Sequence, residues 1–157
     1  QWVEDVARMT RPRRIVWCDG SEGERERLLD EMLQDRELLP LDPASCPGSY
    51  LHRSDPSDVA RSEHLTFICS GDEADAGPLN NWMPPAEAVG KLTPLFDGVM
   101  KGRTMYVVPF LMGPPGSRFS KVGVEITDSK YVVLSMRVMT RVGQVGLVQL
   151  GASNDFT

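Results

Sequence analysis

The sequence predicts an α/β domain, a mixed sheet with flanking helices, and three observations carry that expectation. A short apolar run, Arg14-Ile15-Val16-Trp17-Cys18, is followed at once by an amphipathic helical pattern. The last third of the chain is rich in β-branched and aromatic residues, which favour sheet. Hydrophobic residues make up 41% and charged residues 25% of the 157, a globular composition in a chain long enough to bury a sizeable core.

Taken in order, the run from Arg14 to Cys18 reads as a buried strand that stops at Asp19-Gly20. Ser21-Glu22-Gly23-Glu24 then fits a capping box, in which the serine accepts from a backbone N–H and the glutamate reaches back. The helix it opens extends to about Glu37, with Leu28, Leu29, Met32 and Leu33 on one face. Residues 40–57, rich in Pro, Gly, Ser and Asp, read as loop. Asp55-Pro56 suits a helix start, so a helical turn is expected over Ser57–Glu63, ahead of a strand at Leu65–Cys69. A second loop spans Ser70–Asn81. Pro84-Pro85 opens a helix through Ala88, Val89 and Leu92 that ends near Pro94. Thr104–Phe110 and Val122–Thr127 read as strands. Tyr131–Met139 reads as a third, joined to the second by a hairpin at Asp128-Ser129-Lys130. The residues before Gly151 fit helix and strand equally.

Composition narrows the function. Residues 1–78 carry nine Lys/Arg against 17 Asp/Glu, whereas residues 79–157 carry eight against five. The basic second half suits an anionic substrate or a solvated face, and the whole is far too acidic for a nucleic-acid binder. No run approaches the roughly 18 apolar residues of a membrane span, so a soluble chain is expected. The amino terminus has no apolar h-region and does not read as a signal peptide. It also lacks an initiator Met, and both ends read as internal boundaries of a longer protein. Cys18, Cys46 and Cys69, odd in number and widely spaced, fit neither a disulfide framework nor a zinc knuckle but suit a reducing cytoplasm.

No G-x-x-x-x-G-K-[ST] phosphate loop and no G-x-G-x-x-G occur. His52 and His64 lack metal-ligand spacing. His52, Ser54 and Asp55 hold the residue types of a catalytic triad, but triads are defined by geometry, and such residues in a loop serve as caps and turns. Three stretches stand out. In Ser54–Glu63, Arg61 precedes a buried strand, where a guanidinium can grip a carboxylate or phosphate in a bidentate pair or bond Asp58 or Glu63 on the surface. Lys101 and Arg103 lie in a glycine-containing turn before a strand, as anion ligands or as solvated turn residues, and Gly113-Pro114-Pro115-Gly116-Ser117 follows that strand. Arg137 and Arg141 face either a cleft or solvent.

Together these strings resemble the amino-terminal domain of the GTP-dependent phosphoenolpyruvate carboxykinases. The residues that carry the resemblance are Ile15 to Glu22, Asp55 to Glu63, Asn80-Asn81-Trp82-Met83, Lys101 to Phe110, Tyr131-Val132-Val133 and Ser135 to Arg141. They run in order through almost the whole chain.

The resemblance implies a partial amino-terminal substrate-binding domain over residues 1–157, with the nucleotide-binding domain outside it. It implies a monomeric cytoplasmic enzyme of gluconeogenesis, a decarboxylating lyase that turns oxaloacetate and GTP into phosphoenolpyruvate, CO2 and GDP with Mn2+ or Mg2+. Arg61 falls on the family's substrate-binding arginine, and Glu63 on the acid that meets the mobile lid. The ligands for metal and GTP lie beyond the equivalent of Thr157, so no catalytic, metal or cofactor residue is expected here, and the piece alone is expected to be inactive. Pro115, Arg118-Phe119-Ser120 and His64 depart from the common pattern locally. The alternative is a stand-alone carboxylate- or phosphate-binding module that has lost the kinase half. Missing sheet partners would leave apolar edges exposed.

Overall fold

A computed structural model of the chain describes residues 1–55, 62–151 and 156. Its centre is the strand β6 (Thr104–Met112), whose β-branched and aromatic run is buried from Met105 to Pro109. Such a continuous apolar strand needs cover on both faces. β1 (Arg14–Trp17) pairs parallel with its first half, Arg14 facing Thr104. β7 (Lys121–Thr127) pairs antiparallel along the other edge, and β8 (Arg141–Val142) pairs antiparallel with Phe110 and Leu111. The sheet is therefore mixed, as expected.

β1 and β8 share one edge of β6. Cys18 N donates to Val107 O at 2.8 Å, and Gly143 N donates to Pro109 O at 2.8 Å. The N–H and C=O of one strand residue point to the same side, so Pro109 lacks its donor where one partner strand hands over to the next. The handover is tight. A Cβ on Gly143, at φ 95°, would stand 1.9 Å from Asp19 O, and one on Gly20, at φ 75°, would stand 2.3 Å from Val142 O. Only glycine fits such a left-handed, crowded backbone.

The side chains of β6 alternate between two faces. Tyr106 and Val108 meet Cys18, with Leu28 of α2 (Glu22–Gln34) and Val133 of α4 (Lys130–Met139). Met105, Val107, Pro109 and Leu111 face the side of α1 (Trp2–Thr10) and α5 (Gln144–Leu150). Lys130, at the start of α4, pairs with Asp35 just past the end of α2, and Arg137 near the end of α4 pairs with Glu22 at the start of α2, so the two helices run antiparallel.

Several expectations need correcting. Residues 2–10, given no element above, form α1. Residues 40–57 are not all loop: β2 (Leu38–Pro40) and β3 (Tyr50–His52) make an antiparallel hairpin. The strand expected at Leu65–Cys69 shrinks to β4 (Phe67–Ile68), parallel to β5 (Asn81–Trp82), after a 3-10 turn at Glu63–Leu65. A helical turn over Ser57–Glu63 falls mostly outside the described residues. α3 (Pro85–Phe96) runs through Pro94, because the carbonyl of Gly90, deprived of its donor, lies on an exposed face.

The largest correction is α4. Tyr131–Met139 is a helix, not a strand, and Asp128-Ser129-Lys130 is a strand-to-helix junction, not a hairpin. Ser129 Oγ accepts from Val132 N at 3.3 Å, an N-cap that overrides the β-branched composition. Val133 is buried while Tyr131, Val138 and Met139 are exposed, a helical spacing and not an alternation.

Candidate functional site

A cleft of about 480 Å³ lies between the β2–β3 hairpin and the start of α4. Leu39, Leu51 and His52 form one wall, Ser129, Lys130 and Tyr131 the other, and Ser54 and Asp55 lie along it. The His52 and Tyr131 rings stack at 4.1 Å with an interplanar angle of 15°. This contact closes the hairpin over the helix. His52, Ser54 and Asp55 thus share a cleft, but the imidazole is engaged with Tyr131. No described hydrogen bond joins His52 to Ser54, so no triad is formed.

Lys130 is only 15% exposed at its side chain, 2.6 Å from Asp35 Oδ2 and 3.3 Å from Glu37 Oε1. Burial opposes its charge, but hydrogen bonds to the two carboxylates outweigh that and raise its pKa above the ordinary lysine value. Arg103 Nη1 meets Asp128 Oδ2 at 2.6 Å. Arg137 donates to Ser21 O at 2.9 Å and to Glu22 Oε1 at 2.7 Å, while Arg141 donates to Gly113 O at 2.8 Å. The basic residues left open by the sequence at 103, 137 and 141 therefore brace the fold, and Lys101 is an exposed turn residue.

At the end of β1, Glu24 accepts from Gly20 N at 3.0 Å and Asp19 N at 3.3 Å, and Ser21 Oγ accepts from Glu24 N at 3.1 Å. The serine half of the capping box forms, while the glutamate reaches one and two residues further back than in a standard box and Ser21 N donates to Asp19 Oδ1 instead. Burial, reinforced by Glu24, pushes the Cys18 thiol up to about 12, so it is an inert core group and not a nucleophile.

Arg61 lies outside the described residues. Glu63 is described: it is exposed and opens the 3-10 turn. Asn81 Nδ2 donates to Glu63 O at 2.9 Å and to Thr66 O at 3.1 Å, and Trp82 Nε1 donates to Ser70 O at 3.0 Å. Sequence reasoning assigned no role to Asn81. A side-chain amide three residues ahead of a Pro-Pro helix start carried no signal that it would hold a turn 18 residues earlier. Among the described residues, no group of three or more His, Cys, Asp or Glu could hold a metal ion. No helix there is long and apolar enough to cross a membrane.

The arrangement defines an α/β domain whose Cys18 thiol is an inert core group and whose Arg103, Lys130, Arg137 and Arg141 are tied to partners within the fold. The chain matches the family described as Phosphoenolpyruvate carboxykinase N-terminal domain over residues 1–157, and it belongs to that family. It is 57% identical over 155 residues to "Phosphoenolpyruvate carboxykinase [GTP]" of Anaeromyxobacter dehalogenans (strain 2CP-C), a match covering 99% of this chain and 26% of the relative. Relatives of the same name in Corynebacterium jeikeium (strain K411) and Paenarthrobacter aurescens (strain TC1) are 48% and 56% identical, covering 99% and 90% of this chain and 26% and 23% of theirs. The chain spans about a quarter of the length of these relatives.

Proposed function

We propose that this chain is the amino-terminal substrate-binding part of a GTP-dependent phosphoenolpyruvate carboxykinase, a cytoplasmic monomer of gluconeogenesis converting oxaloacetate and GTP to phosphoenolpyruvate, CO2 and GDP. The observation that carries the reading is the 57% identity over 99% of the chain to a relative bearing that name. In this reading the Arg61 guanidinium holds the carboxylate or phosphate of the substrate, positioning it and neutralising charge. Glu63, on the turn that Asn81 braces, meets a closing lid.

In this reading Mn2+ or Mg2+ and GTP are held by residues of the part that the longer relatives carry outside the aligned region. Without them the chain alone is expected to be inactive. In the full-length polypeptide carrying this chain, Arg61→Ala is expected to lower kcat/KM for oxaloacetate more than tenfold, a charge-assisted contact being worth about 1.5–3 kcal/mol. An unchanged kcat/KM removes Arg61 from the site.

A further inference from the structure

The side chains of Met105, Val107 and Leu111 on the α1/α5 face of β6 are fully buried. One strand over, on the same face, the cover stops. Ile15 and Trp17 of β1 pair in register with Met105 and Val107, yet remain 44% and 51% exposed. They open into a groove of about 550 Å³ between α1 and α5, completed by Trp2, Val124, Leu147 and Leu150. The ring of Phe156, which also lines the groove, meets that of Trp2 edge-on at 5.4 Å. β1 is also the end strand of the sheet, with its outer edge paired to no described strand.

We infer that an apolar segment of the same polypeptide, from the part that the longer relatives carry outside the aligned region, packs into this groove over Ile15 and Trp17. Two observations choose that occupant. Eight of the ten residues that line the groove are apolar, Glu4 and Gln1 being the exceptions, which suits a hydrophobic segment better than a polar ligand. The aligned region is 26% of the relative's length, leaving ample chain to supply a cover. A strand side chain left half in water forgoes about half of the stabilisation that full burial gives, and an edge strand with an apolar face invites pairing.

The inference rests on the reading that this chain is part of a longer carboxykinase, and its test is separable from that reading. Hydroxyl-radical footprinting of the full-length protein, read by mass spectrometry, compares Trp17 with Phe119, an exposed aromatic that does not line the groove. At concentrations where light scattering reports a monomer, Trp17 is expected to be modified at least tenfold more slowly than Phe119. Comparable rates for the two overturn the inference, whatever the carboxykinase assay of the same sample reports. Protection of Trp17 that appears only as the mass doubles assigns the groove to a second copy and also overturns it. Protection in a sample without carboxykinase activity supports the inference and sinks the functional reading alone.

Discussion

Cys18 and Asp19 are neighbours with opposite fates. The thiol turns into the core, where burial and Glu24 keep it protonated, while Cys46 and Cys69 are exposed. Excess alkylating reagent at pH 8 is expected to add two labels to the native chain and three in denaturant, counted by intact mass. A rapid third label on the native chain would show the end of β1 opening. Asp19 accepts from Ser21 N at 2.7 Å, which holds its carboxyl below the ordinary 3.8. A carboxyl depressed in the folded state contributes stability above its unfolded pKa and loses it as pH falls through the folded value. Asp19→Ala is therefore expected to be less stable than the parent at pH 7, with the gap closing below pH 3.8. Urea midpoints at pH 7 and pH 3 measure it, and a gap unchanged at pH 3 would take the effect away from the carboxylate.

At the scale of elements, α4 shows what local pattern carries and what it does not. Its string Tyr131-Val132-Val133 has β-branched, aromatic composition, and composition favoured a strand. The deciding signals were Ser129 as a cap and the ion pairs that Lys130 and Arg137 make across to α2, contacts 95 and 115 residues away in sequence. The cap is local, but no window of a dozen residues contains the ion pairs. α2 was legible because its capping box and apolar face are both local, and β6 because its apolar run is long. The β2–β3 hairpin hid among prolines and serines because its stability comes from packing on α2 and the His52–Tyr131 stack. Ser129→Ala is expected to cost about 1 kcal/mol, the usual worth of an N-cap, read as a lower urea midpoint with an unchanged slope. No loss would leave the α4 start to its tertiary contacts alone.

At the scale of the whole molecule, the candidate site was legible in a different way. Composition and spacing left Arg61 between a surface pair and an anion ligand, and only the run of family strings resolved its expected role. The brace that positions Glu63 from Asn81 became visible only with the turn in three dimensions. Three basic residues the sequence held open, Arg103, Arg137 and Arg141, proved to be ties between elements. A side chain's use depends on what the fold sets opposite it, and that partner was each time 25 or more residues distant.

The shared edge of β6 also has a consequence in time. β1 pairs with residues 90 positions later, Arg14 with Thr104, and β8 then completes the same edge from beyond β7. On a ribosome adding about 5–20 residues per second, β1 waits roughly 5–18 s for its partner to be made. Closing so long a loop is entropically costly, so the sheet is expected to assemble around the β6–β7 ladder, with β1 recruited afterwards. During that wait Ile15 and Trp17 are open to whatever holds nascent chains, and the strand made first is the one secured late.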